Sequence, residues 1–212
     1  MTSDAITDIK TTGNVLLAAT TGIGNSSTNG EIDLSVAGVA ASSTDGGIYL
    51  RETDDIALIS DFGRVVGLIA SNSGDIVLTS DSGLVTVDNV VMANSGAIDV
   101  RAAAVDVSAE ITGSGVQLVA TGNVQVASGN QIISQGSGTT LLISGNSVSL
   151  GGGASSNETV RSEGGGTLSI VGTGAVITLD DHSIGSDGAS IALDAGTQNI
   201  TVNGTDTTNE IT

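Results

Sequence analysis

The sequence predicts an all-β chain folded as a parallel β-helix (β-solenoid), and three observations predict it. The first is a Gly-x-Ile-x-Leu pattern that recurs with small variations along nearly the whole chain. It reads Gly30-Glu31-Ile32-Asp33-Leu34, Gly46-Gly47-Ile48-Tyr49-Leu50, Gly74-Asp75-Ile76-Val77-Leu78, Gly96-Ala97-Ile98-Asp99-Val100, Gly122-Asn123-Val124-Gln125-Val126 and Gly166-Thr167-Leu168-Ser169-Ile170. Each copy is a turn residue followed by a short strand with branched aliphatics at alternate positions, and many such strands in series form a stacked, quasi-one-dimensional solenoid. The second is the absence of proline, whose missing N–H would break a strand paired on both edges. The third is the near-absence of aromatics, with Tyr49, Phe62 and no tryptophan. Rings fill the irregular space of a globular core, whereas a narrow interior of aligned Val, Ile, Leu and Ala ladders dispenses with them.

Strands are predicted to begin near Val15, Ile32, Ile48, Ile56, Ile76, Leu84, Ile98, Val105, Val116, Val124, Leu141, Val148, Leu168, Val176, Ile191 and Ile200. They fall into close pairs, such as Ile48 with Ile56 and Ile76 with Leu84, often followed by a polar stretch such as Ser128-Gly129-Asn130. The interval from pair to pair wanders around roughly 18 to 28 residues, the window of solenoid repeats. Each interval then corresponds to one coil of two or three strands and a variable loop. About nine coils of irregular length at ~4.8 Å spacing give a rod on the order of 40 Å long. Ala97 to Ile111 contains the helix-favouring run Arg101-Ala102-Ala103-Ala104. Its alternation through Ile98-Asp99-Val100 and Val105-Asp106-Val107-Ser108-Ala109-Glu110-Ile111 has the two-residue period of a half-buried strand, so strand is expected there. Asn29-Gly30 and Asn203-Gly204 supply turns. The inward ladders include Ile76, Val124 and Leu168.

Composition excludes several function classes. Although 31 of the 212 residues are glycine, a hydrophobic content of 39% and the regular placement of Val, Ile and Leu oppose disorder. Five basic residues (Lys10, Arg51, Arg64, Arg101 and Arg161) stand against 23 acidic ones, a formal charge of −18. Nucleic acid and anionic lipid both require a positive face, and these five are scattered. The acidity is read as keeping an edge-rich polymer soluble and self-repelling. The alternative is that acidic loops bind calcium, since hard cations prefer oxygen ligands. Without cysteine there is neither a disulfide framework nor a thiolate zinc site. No apolar run is long enough to span a bilayer, and Met1-Thr2-Ser3-Asp4 does not open an export signal. The expectation is one β-solenoid segment over residues 1–212, cut from a longer exported chain.

No catalytic, cofactor-binding or metal site is assigned. Asp180-Asp181-His182 is the one place where acid and imidazole adjoin, and it lacks the third group that completes a catalytic geometry; a solvated turn is expected there. Asp54-Asp55, with Tyr49, Arg51 and Arg64 nearby, could hold calcium or supply the two carboxylates of a sugar-cleaving cleft; a solvated acidic turn is again expected. Asp61-Phe62-Gly63 matches a kinase tripeptide with no other kinase element around it. Lys10, the only lysine, has no phosphate-binding glycine loop before it. Asn25, Asn157, Asn199 and Asn203 begin Asn-x-Ser/Thr sequons of the number chance gives in so polar a chain.

Leu16-Leu17-Ala18-Ala19-Thr20-Thr21-Gly22-Ile23-Gly24, Ser43-Thr44-Asp45-Gly46-Gly47-Ile48-Tyr49-Leu50 and Gly74-Asp75-Ile76-Val77-Leu78-Thr79-Ser80 give the chain a texture that resembles the filamentous-haemagglutinin-like adhesins and autotransporter passengers of bacteria. The resemblance implies a right-handed parallel β-helix that forms an elongated, non-enzymatic stalk of a secreted or cell-surface protein. Loops or open ends would then meet a host or cell-surface ligand, or other copies of the chain. Rival readings are a carbohydrate-binding or carbohydrate-cleaving β-helix and a self-assembling fibre or surface-layer subunit.

Overall fold

The computed structural model of the chain describes residues 7–61, 65–137, 139–152, 159–163, 165–174, 177–180, 184–186 and 190–202. Every regular element among them is a strand, and with one exception every strand pairing is parallel. The chain is a parallel β-solenoid. Its first leg stacks nine strands: Ile9–Lys10, Ile32–Ser35, Ile48–Glu52, Ile76–Ser80, Ile98–Ala102, Val116–Ala120, Thr140–Gly145, Thr167–Gly172 and Ser190–Asp194. The second leg runs through Ile56–Leu58, Leu84–Val87, Ala104–Val107, Asn123–Val126, Ser147–Leu150, Ile177–Leu179 and Ile200–Val202. The third runs through Leu68–Ala70, Val91–Ala93, Ile111–Gly113, Ile132–Ser134, Val160–Ser162 and Ile184–Ser186.

Register is continuous from coil to coil. On the first leg Ile48, Ile76, Ile98, Val116, Leu141, Leu168 and Ile191 form one column, and Leu50, Leu78, Val100, Leu118, Ile143, Ile170 and Leu193 form the next. Successive members of the first column lie 28, 22, 18, 25, 27 and 23 residues apart along the chain. The extra residues of the long coils are therefore extruded at corners while the strands keep step. Columns on the other legs include Ile56, Val85, Val105, Val124, Val148 and Ile177, and Leu68, Val91, Ile111, Ile132, Val160 and Ile184. Apart from Ile191 and Leu193, which are half-buried, these inward residues are buried between the three legs, each buried one contributing about 1.5–3 kcal/mol of apolar burial. The inward placement of Ile76, Val124 and Leu168 agrees with the alternation of the sequence.

The sequence-based count of about nine coils gives way to about seven turns. Nine rungs exist on the first leg, but only six begin a coil with all three legs among the described residues. In the second coil Gly38–Ser43 is one continuous strand that does the work of two legs. Its start pairs with Ile56–Leu58 and its end with Leu68–Ala70, while Asn14–Ala19 pairs along its other edge. In the following coil the chain between those two short strands leaves the wall as the antiparallel pair Ser60–Asp61 and Val65–Val66. It returns through Gly67, whose φ of 65° lies in the left-handed region.

The third leg was mostly hidden in sequence. Val105 to Ile111, expected as one strand, is two: Ala104–Val107 on the second leg and Ile111–Gly113 on the third. The alternation runs through both because residues 108–110 turn the corner without losing the inward/outward parity. At that corner the Ser108 N–H donates to the Val87 carbonyl at 2.9 Å, so coil-to-coil pairing continues around the bend.

Corners place backbones in direct contact. A Cβ on Gly96 would overlap the Gly74 carbonyl oxygen one coil below, and backbone there has no rotamer by which to yield. Two outcomes are expected in thermal unfolding followed by circular dichroism. Aspartate at Ile76, Val124 or Leu168 places an unpaired charge between stacked coils and costs more than about 4 kcal/mol; unchanged melting in all three variants would overturn the inward assignment. Gly96→Ala is expected to destabilise by about 1–3 kcal/mol through overpacking, and a neutral result would show that the corner can move.

Candidate functional site

Asp54 and Asp55 lie in the turn from the first leg to the second. They border a small depression of about 290 Å³ whose other walls are Thr11, Thr12, Ser35, Val36 and Ala37. The turn is held by the coil above: Leu84 N–H donates to Asp55 Oδ1 at 2.7 Å and Ser80 Oγ–H donates to the Asp54 carbonyl at 2.7 Å. Arg51 does not join them. Its guanidinium grips Asp81 two-fold, with Nη2–Oδ1 at 2.7 Å and Nε–Oδ2 at 3.1 Å, and reaches Glu31 at 3.6 Å. Of the residues that the rival reading of a sugar-cleaving cleft gathers near Asp54 and Asp55, Arg51 thus belongs to a separate arrangement, and Arg64 lies outside the described residues.

Arg51 works as a clamp across three coils. It stands opposite Asp33 in the register, between Glu31 on one coil and Asp81 on the next. Burial opposes its charge, but the hydrogen bond and charge of Asp81, with Asp33 and Glu31, outweigh that and hold its pKa above the ordinary value. Glu31 itself is buried, and its Oε2 has no hydrogen-bond partner. Sequence reading missed this network because its members are 20 and 30 residues apart and meet only through the stacking.

Glu52 was also missed, although parity alone could have found it: it follows Ile48 and Leu50 at the next inward position. It is fully buried at the end of its strand, opposite Leu34 on one side and Ser80 on the other. Its carboxylate accepts the Thr53 N–H at 2.9 Å and the Val36 N–H at 3.1 Å. It therefore knits the short corner of one coil to the longer corner of the next, where strand pairing lapses. Desolvation by burial raises its pKa, and the nearby Asp54 charge adds to that. The backbone N–H bonds, from Thr53 first, act the other way without cancelling it.

Asp180 follows the second-leg strand Ile177–Leu179, and its N–H donates to the Leu150 carbonyl at 3.0 Å. Asp181 and His182 lie outside the described residues, as do Phe62, Gly63, Asn157 and Asn203. Asn25 is in an exposed turn in which its Oδ1 accepts the Ser27 N–H at 2.9 Å. The Asn199 carbonyl accepts the Ile177 N–H at 3.2 Å. Among the described residues no three acidic or imidazole side chains are grouped so as to hold a metal ion, and no helix is long and apolar enough to cross a membrane.

A larger groove of about 470 Å³ crosses the corner that leads into the first leg. Asp75, Asp99, Ser114, Gly115, Gln117 and Thr140 line it, drawn from four successive coils. Asp75 and Asp99 fall within copies of the Gly-x-Ile-x-Leu pattern, but that pattern does not mark the groove, whose residues are brought together by register.

The raised pKa of Glu52 carries a sign for stability. The folded chain holds this proton more tightly than the unfolded one. The contribution is therefore complete below the ordinary glutamate range and is lost as pH rises through the raised value. Melting temperature measured against pH should fall across that window, and Glu52→Gln should flatten that part of the profile. An identical profile in wild type and variant would show that Glu52 is not responsible.

No protein-family model matches the chain, and the comparisons find no similar curated protein and no similar solved structure.

Proposed function

We propose that this chain is a non-enzymatic structural segment, the stalk of a large secreted or cell-surface bacterial protein similar to the filamentous-haemagglutinin-like adhesins and autotransporter passengers. The observation that carries this reading is the unbroken register of the first leg. Its columns run through seven rungs from Ile48 to Ile191 without a slip, although the coils differ in length by up to ten residues. Such a stack carries load along its axis through rows of main-chain hydrogen bonds, and extra chain length is put into corners where it leaves the wall intact. Spread over nine strands at ~4.8 Å, it reaches roughly 38 Å. A stalk needs length and stiffness from this segment, with a ligand of the host or cell surface held by its loops or faces.

The placement of the acidic groups supports the same reading. Asp55, Glu52 and Asp81 are engaged in holding corners and strands together, a role that needs neither calcium nor substrate. The test is thermal unfolding by far-ultraviolet circular dichroism with calcium and then with chelator, on samples characterised by sedimentation. A β-rich cooperative transition indifferent to chelator, from an elongated monomer, is the expected result. A melting temperature that rises with calcium would make the acidic loops ligands. Filaments that grow with concentration would replace the stalk by a self-assembling fibre.

A further inference from the structure

We infer that the groove at the first-leg corner is a binding site for a neutral, polyhydroxylated ligand, a short stretch of uncharged oligosaccharide. Gly115 lines this groove. Glycine elsewhere on these corners is dictated by the fold: a Cβ at Gly96 or Gly166 would overlap backbone of the neighbouring coil. At Gly115 the same Cβ would meet only the Thr140 carbonyl oxygen at 3.5 Å and the Thr139 side chain at 3.6 Å, ordinary van der Waals separations. Stacking leaves room for a side chain there. Its absence opens the groove, whose volume of about 470 Å³ falls within the ~300–1,000 Å³ of small-ligand sites.

The chemistry of the walls selects the ligand class. Gln117 offers a donor and an acceptor, and Ser114 and Thr140 offer hydroxyls, all from side chains without charge. The two carboxylates are already bonded within the protein. Asp75 Oδ1 accepts the Ala97 N–H at 2.9 Å, and Asp99 is held by Arg101 through contacts of 2.9 and 3.0 Å. They retain lone pairs for hydroxyl donors; Arg101 offsets the charge of Asp99, while Asp75, bonded to a neutral N–H, keeps its own. Anions are repelled by Asp75 and by the net charge of −18. Sugar hydroxyls, which donate and accept at once, fit this mixture. The register adds an apolar platform in line with the groove. Tyr49, Val77, Asp99 and Gln117 occupy one outward column, in which the Tyr49 backbone lies two strand spacings, roughly 10 Å, from that of Asp99 and the Tyr49 ring lies over Gly47.

This inference does not depend on the stalk reading, which is decided by sedimentation and melting. It is tested with a panel of soluble neutral oligosaccharides: short β-1,3- and β-1,4-glucans, N-acetylglucosamine oligomers, mannans and galactans. Binding is read by saturation-transfer NMR and by the fluorescence of Tyr49, the only tyrosine in a chain without tryptophan. At least one oligosaccharide is expected to bind. Gly115→Leu, which fills the groove, and Gln117→Ala, which removes its central amide, are each expected to weaken binding about tenfold or more. The melting temperature of both variants is expected to stay at the wild-type value. No binding by any member of the panel, or binding undiminished in both variants, overturns the assignment. Binding of a lysine-rich peptide in place of every sugar overturns it as well.

Discussion

Parallel pairing in register between successive coils is the constraint on which everything else in this molecule depends. Each strand must satisfy its N–H and C=O groups with the coil below and the coil above, so every strand position is fixed twice. Once Ile76 is set between Ile48 and Ile98, its neighbours have no freedom to slip. A shift of one residue would turn the whole strand inside out and put Asp75 and Val77 into the core. That is why coils of unequal length coexist in one wall. Length varies only where pairing can lapse, at corners, and each corner then needs another source of hydrogen bonds.

Those substitutes explain the buried polar groups. Glu52 gives two acceptor oxygens to N–H groups at a place where one coil turns in fewer residues than the next. Ser80 on the coil above and Asp55 on the coil of Glu52 do similar service between those two coils, one toward a carbonyl and the other toward an N–H. Arg51 neutralises carboxylates that stacking brings close, because outward columns place side chains about 4.8 Å apart whatever their charge. In so acidic a chain this spacing would be costly without a cation at the crowded point. The same geometry leaves the surface chemically plain. A column presents one side chain per coil, so catalytic constellations, which need several groups converging on one atom, require an excursion from the wall. Among the described residues the groove at Gly115 departs from this plainness by subtraction, through a missing side chain rather than an added loop.

Much of the fold was legible in the residues. Five of the six Gly-x-Ile-x-Leu copies marked rungs of the first leg and the sixth, Gly122 to Val126, a strand of the second; the strand pairs marked the first and second legs, and the spacing of roughly 18 to 28 residues is the spacing observed between rungs. The third leg was obscure because its strands are three residues long, too short for alternation to stand out from the polar corners on either side. Val105 to Ile111 shows why: parity survives the corner, so a bend leaves no trace in the pattern. The fusion of two legs in Gly38–Ser43, and with it the lower number of complete turns, has no sequence mark either. Gly38-Val39-Ala40-Ala41-Ser42-Ser43 is buried on both faces and reads as featureless.

Composition and alternation were enough to read the chain as all-β, to say which face of the first- and second-leg strands points inward, and to count five basic residues against 23 acidic ones. These follow from local quantities, namely side-chain alternation, the absence of proline and the count of charges, and each is fixed by neighbours one or two positions away. Which residues meet across coils emerged only from the stacking: Arg51 with Glu31 and Asp81, Glu52 with Val36, and Asp75, Asp99, Gly115 and Gln117 around one groove. Those meetings depend on how many residues each coil spends at its corners. That number is set by the balance of pairing along the whole stack, and no local pattern encodes it.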